Sequence, residues 1–199
     1  MADIGTILDH FNVESCWLIG ASFGSSLAAK YCLAQPARVD GLILIAPTLD
    51  GFEPSPSIKE FWRREEELLQ ADDLAAAVEL NLRFWFDGPN RPRQQVDQAK
   101  RALVGQMQLK AFQQPEPAGV ELTDRKVKDL KEYESLTCPV LMVTGAEDDP
   151  AVLAHAHQLL EVLPNAELFE LEKGGHMVSM ERPGRVNQLI LDAIHQERT

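Results

Sequence analysis

"CWLIGASFGSS", residues 16–26, is the stretch that decides the fold. An apolar run, Cys16 to Ile19, drops into Gly20-Ala21-Ser22-Phe23-Gly24, and further small residues follow. In a chain of this composition G-x-S-x-G arises by chance on the order of a few per cent of the time, so the bare pattern says little. Its setting says more: it ends an apolar strand and opens a helix, the context in which a strained turn holds a serine hydroxyl exposed. Small residues suit a turn where strand and helix pass too close for larger side chains, and Ser25 and Ser26 keep the start of the helix slim. The helix N-terminus brings unpaired N–H groups and the positive end of the dipole. Ser22 is therefore a candidate nucleophile, and the backbone N–H of Phe23 the natural half of an oxyanion hole.

Outward from this turn the sequence alternates strand and helix. Residues 2–11 place Ile4, Ile7, Leu8 and Phe11 on one helical face, and a strand follows at 16–20. A helix over 23–35 stops before Pro36, since proline disfavours helix in the residue preceding it. "GLILIAP", 41–47, is a continuous apolar run of the kind found in strands buried on both faces of a parallel sheet. Residues 50–135 read as mostly helical and amphipathic, with helices near 57–70, 72–86 and 91–112 and an irregular stretch leading to Leu136. The alternation then resumes with a strand at "PVLMVTG", a helix over 151–162, a strand at "AELFELE" and a helix over 184–196. The expectation is an α/β fold: a parallel sheet of about four strands with a large helical insertion after the second.

A serine needs a base, and the base an orienting acid. In this architecture they follow in the order Ser, acid, His. Asp148 stands just beyond the strand "VLMVTG", and His176 stands behind two glycines after the last strand. Catalytic groups gather at the carboxyl ends of parallel strands, so Ser22, Asp148 and His176 are expected to converge. Glu147 and Asp149 are rivals for the acid and read as solvated loop carboxylates. His10, near a helix C-terminus, and His195, in the last helix, read as structural or exposed. Met177 and the Phe23 side chain read as packing or pocket groups. The aromatics Trp62, Phe84, Trp85 and Phe86 fit the interior of the insertion better than a substrate pocket.

Composition narrows the function. The chain has 199 residues, 45% of them hydrophobic, enough for one domain with a substantial core. With 31 acidic and 19 basic side chains, a net charge of −12 repels polyanions, so nucleic acid and anionic membranes are poor partners. No apolar run is long enough to span a bilayer, and the first ten residues lack the basic start of a signal peptide. Cys16, Cys32 and Cys138 lack CxxC spacing and read as free thiols in a reducing, cytoplasmic setting. His155 and His157, two apart on a helix, point to different sides and make a poor metal pair.

"WLIGASFGSSLAAKYCLAQPARVDGLILIAPTL", "CPVLMVTGAEDDP" and "LPNAELFELEKGGHMVSMERPGRVNQLILDAI" together resemble the α/β-hydrolase superfamily, in its small bacterial esterase, lactonase and carbon–carbon-bond hydrolase branch. The resemblance runs over nearly the whole chain, strongest at the Ser and His motifs and loosest through 50–135. It implies a core of residues 1–49 and 136–199, incomplete at its N-terminus, and a variable helical cap over 50–135. "FWFDGPNRP" is similar to a cap segment of that branch. It further implies a cofactor-free, metal-free serine hydrolase acting on a small-molecule ester, lactone or related activated carbonyl through Ser22, Asp148 and His176. One part of the family pattern is missing: no HG-type motif, which in the family supplies the second oxyanion N–H, occurs upstream of Ser22. Three readings compete for that gap: a fragment whose start is an internal Met, completion by a second chain or by dimerisation across strand 16–20, or a reduced, weakly active or non-catalytic ligand-binding relative. Strand 16–20 is expected at the sheet edge with an apolar face unpaired.

Overall fold

Four strands lie side by side in chain order, all parallel: β1 (Cys16–Ala21), β2 (Val39–Ile45), β3 (Val140–Gly145) and β4 (Ala166–Leu171). The computed structural model describes residues 2–115 and 127–196. β2 and β3 occupy the centre, and every residue of β3 is buried, as apolar runs covered on both faces require. Side chains alternate across the pleat. Leu42, Leu44 and Met142 face α1 (Ala2–His10), α2 (Phe23–Ala34) and α6 (Pro150–Val162). Ile43, Ile45 and Val143 face α7 (Val178–Glu181) and α8 (Pro183–Gln196). Ala21 pairs with Ile45, Ile45 with Val143, and Gly145 with Leu171, so the carboxyl ends of β1, β3 and β4 share one edge of the sheet.

The outer strands differ. β4 turns Glu167 and Glu170 to solvent, charges that discourage further pairing. β1 has no such protection: Ile19 is 52% exposed, and Cys16, Trp17 and Leu18 are only half-buried.

Between β2 and β3 the helical insertion comprises α3 (Pro56–Gln70), α4 (Leu74–Asn81) and α5 (Gln98–Phe112). Each begins at a side-chain cap: Ser55 accepts from the Ile58 N–H, Asp73 from Ala76, and Asp97 from Ala99 and Lys100. Two expected helices are shortened. The one placed at 72–86 ends its α-helical hydrogen bonding at Asn81 and widens into a π-helical turn, Leu82–Asp87, in which Phe86 and Asp87 are buried and Trp85 is half-buried. The one placed at 91–112 starts only at Gln98, because Pro92 holds extended backbone and Asp97 caps the N-terminus. The strand placed at 41–47 runs instead from Val39, pairing with Cys16, and stops at Ile45, after which Ala46 has φ 45°. The stretch before Leu136 contains a 3-10 helix at Leu130–Ser135, and the part over 116–126 lies outside the described residues. The short α7 was not anticipated from the sequence. A buried ion cluster braces the insertion, with Arg101 bonded to Asp87 at 2.8 and 3.0 Å and to Glu79 at 3.0 and 2.8 Å.

No helix among the described residues is long and apolar enough to cross a membrane.

Candidate active site

Ser22 stands between β1 and α2 with φ 50° and ψ −121°, a backbone conformation that L-residues rarely adopt. Its N–H continues the β1–β2 ladder to the Ile45 carbonyl at 2.8 Å, and its own carbonyl accepts from the Ser25 N–H at 2.9 Å. Both ends of the turn are thereby fixed. A Cβ on Gly20 would lie 2.3 Å from the Gly24 carbonyl oxygen, so the first glycine of G-x-S-x-G is sterically required. The expectation does not extend to the second: a Cβ on Gly24 would meet nothing within 4 Å. Ser25, fully buried, donates to the Gly20 carbonyl at 2.9 Å and locks the start of α2 to the strand. Phe23 is the first residue of α2, where an N–H has no partner within the helix; its side chain is 62% exposed.

The acid loop and the histidine loop are stitched together by backbone. Ala146 N–H donates to Leu171 at 3.0 Å and Glu147 N–H to Gly174 at 2.9 Å. This brings Asp148 Oδ2 to 2.9 Å from His176 Nδ1, and His176 Nε2 to 2.9 Å from Ser22 Oγ. The other Asp148 oxygen accepts the Asp149 N–H at 2.7 Å. Asp148's side chain is 1% exposed and that of His176 9%, so the Asp148–His176 hydrogen bond is sheltered from bulk water.

The two rival carboxylates part company. Glu147 is half-buried beside a polar cleft. Asp149 is not the solvated group expected: it is buried, caps α6 through the Ala151 N–H at 2.9 Å, and accepts from Ser57 Oγ at 3.0 Å and Ser55 Oγ at 3.3 Å. It clasps the start of α3 to the start of α6. Of the other histidines, His155 is buried and accepts the Leu49 N–H at Nε2, 3.2 Å, while His157 faces outward to Glu170 at 2.7 Å. Burial pushes the His155 pKa down. His10 and His195 are exposed in the last turns of α1 and α8.

A cleft of about 570 Å³ opens onto Ser22, with Leu49, Phe52, Ile58, Trp62 and Trp85 among its walls. On its wall the buried Lys30 pairs with Asp50 at 3.0 Å. The aromatics of the insertion divide. Phe86 is fully buried beside Leu82, Val96 and Val104, whereas Trp85 lays its ring against His176, 4.5 Å between centroids. Met177 packs on the Phe86 cluster. Sequence reasoning missed Arg91 and Glu181, which form a buried pair at 2.6 Å behind the histidine loop; an arginine in a proline-rich turn and a glutamate two residues before a proline carry no pattern that joins them.

A family model described as the alpha/beta hydrolase family matches residues 1–189, and the chain belongs to that family. Among curated relatives it is 28% identical over 197 residues to a protein named as a carbamate hydrolase, RutD, of Serratia proteamaculans, covering 96% of this chain and 70% of that protein. The like-named protein of a Caulobacter strain is 25% identical over 201 residues, 98% and 71% covered. Among solved structures, the naproxen esterase (carboxylesterase NP) of Bacillus subtilis superposes with a TM-score of 0.70 at 21% identity, over 94% of this chain and 62% of that one. The chain thus spans roughly two thirds of the length of the proteins it resembles.

Proposed function

We propose that the chain acts as a serine hydrolase on an ester, lactone, carbamate or similarly activated carbonyl. The observation that carries this reading is the unbroken line Ser22 Oγ–His176 Nε2 and His176 Nδ1–Asp148 Oδ2, both steps 2.9 Å. In this reading Ser22 Oγ attacks the carbonyl carbon while His176 Nε2 takes its proton. Asp148 holds the Nδ1–H tautomer and stabilises the imidazolium. The carbonyl oxygen becomes an oxyanion and is received by the Phe23 N–H at the start of α2. His176 then returns the proton to the leaving group. Water, deprotonated by the same imidazole, cleaves the acyl-serine and restores Ser22.

Residues 1–49 and 136–199 act as the core in this scheme and 50–135 as the cap, whose Trp62, Trp85, Phe52 and Ile58 supply an apolar wall for the acyl group. The relative named as a carbamate hydrolase supports this reaction class. A fluorophosphonate probe tests it directly: the wild type is labelled on Ser22, and Ser22→Ala is not. Equal labelling of both overturns the assignment. Hydrolysis of a short p-nitrophenyl ester separates turnover from binding alone, since a folded wild type no faster than His176→Ala is a ligand-binding protein.

A further inference from the structure

We propose that Arg91 and Glu181 are positioning residues for His176, a role that rests on the serine-hydrolase reading above. Glu181 Oε1 accepts the N–H of Gly175, the residue just before His176, at 2.6 Å. Arg91 grips the same carboxylate from behind, Nη1 to Oε2 at 2.6 Å and Nη2 to Oε1 at 3.1 Å. Arg91 is itself held by two carbonyls of the π-helical turn: its Nη2 donates to Phe86 at 2.7 Å and its Nε to Asp87 at 2.8 Å. The Asp87 carboxylate is in turn fixed by Arg101 on α5. The backbone oxygen of Glu181 accepts from Lys100 Nζ, also on α5, at 2.9 Å.

These contacts form one line from the insertion to the histidine loop. The same π-helical turn that supplies the Phe86 and Asp87 carbonyls carries Trp85 against the imidazole face. His176 is thus held from two directions: by Asp148 from β3, and through Gly175 by the insertion. The Arg91 and Glu181 side chains are 8% and 6% exposed. A pair so desolvated contributes little net stability compared with an apolar replacement, but its two parallel N–H···O bonds fix orientation tightly. Only a guanidinium spans two backbone carbonyls and a carboxylate at once, so lysine, although charged, cannot take its place.

The test uses Arg91→Lys, Arg91→Ala and Glu181→Gln of the full chain, each first checked for folding by circular dichroism. Inactivation by a fluorophosphonate is resolved into reversible binding and the bond-forming rate at Ser22. All three variants are expected to bind the probe as the wild type does. Arg91→Lys and Arg91→Ala are expected to form the bond on the order of 10²-fold more slowly, the usual effect of a misplacement of about 1 Å. Glu181→Gln, which keeps an acceptor for the Gly175 N–H, is expected to fall between them and the wild type. Bond formation at the wild-type rate in a folded Arg91→Ala overturns the proposal, as does full rescue by lysine. A second readout is independent of hydrolysis: the ring NMR signals of His176 are expected to shift or broaden in Arg91→Ala while those of the outward-facing His157 stay in place. If the wild type itself is not labelled, the serine-hydrolase reading fails. Unchanged His176 ring signals in Arg91→Ala then reject the positioning role separately.

Discussion

A Cβ on Gly145 would stand 2.2 Å from the carbonyl oxygen of Gly174. The end of β3 and the histidine loop touch backbone to backbone there, and this contact lets Glu147 N–H reach the Gly174 carbonyl at 2.9 Å. The distance between Asp148 and His176 follows from it.

Gly145→Ala must therefore push the two loops apart, since the obstructing atoms are main chain and cannot rotate away. The expected cost is about 1–3 kcal/mol, as for other overpacked sites, read as a lower urea midpoint. Labelling of Ser22 by a fluorophosphonate is expected to slow as well. A variant as stable and as reactive as the wild type contradicts the backbone contact.

The four parallel strands, and the places of Ser22, Asp148 and His176 just past three of them, could be read from sequence because they depend on local signals. An apolar run bounded by glycine or proline marks a buried strand, and each candidate residue sits just beyond one. The boundaries of the insertion could not be read this way. The widening at Leu82 comes from burial of Phe86 and Asp87 against α5, a tertiary effect. Arg91 and Glu181 escaped for the same reason: they are 90 residues apart, and charged side chains in a sequence read as surface. The role of Asp149 was missed because an acid in a loop looks solvated until its serine partners, 94 and 92 residues away, fold onto it.

The strained backbone of Ser22 makes a prediction separable from chemistry. At φ 50° and ψ −121° glycine is tolerated far better than alanine. Ser22→Gly is expected to be more stable than Ser22→Ala by about 1 kcal/mol after the entropy glycine loses on folding. Neither variant should accept the phosphonate. Thermal melts of the two, side by side, decide it; an alanine variant at least as stable as the glycine one rules out strain at this position.

Arg101 offers a contrast between its two acidic partners. Asp87 is fully buried, whereas the Glu79 side chain is 51% exposed. Removing Asp87 leaves a buried guanidinium short of its inner partner, and Asp87→Ala is expected to cost about 3–5 kcal/mol. Glu79→Ala, at the wet end of the cluster, is expected to cost about 1 kcal/mol or less. Equal losses in denaturant titrations would place the weight of the cluster elsewhere.

His155 gives the protein a pH dependence of known sign. Burial lowers its folded pKa below the ordinary 6.5, and its Nε2 accepts the Leu49 N–H, which requires an unprotonated nitrogen. The unfolded chain takes up a proton near pH 6.5 while the folded imidazole resists. Stability is thus fully present above that pH and falls as the solution is acidified toward the folded pKa. Melting temperatures between about pH 7.5 and 5.5 are expected to decline in the wild type and to decline less in His155→Gln, whose amide can still accept from Leu49. Parallel curves exclude His155 as the source.

The unprotected edge of β1 carries the last prediction. Its outward row includes Ile19, 52% exposed, beside the half-buried Trp17 and Leu18, with no charge among residues 16–21. β4, the opposite edge, exposes Glu167 and Glu170. An apolar strand whose outer N–H and C=O groups meet no neighbouring strand among the described residues is a template for pairing, so two copies are expected to meet along β1 and extend the sheet across both. Sedimentation velocity should then show a concentration-dependent species heavier than the monomer. A lysine at position 19 places a charge on the pairing strand in the way β4 already uses glutamates. Ile19→Lys is therefore expected to shift the population toward monomer, whereas Leu191→Lys, an equally exposed apolar site on α8, leaves it unchanged. A wild type that stays monomeric at every concentration shows that the edge of β1 does not pair with its own kind.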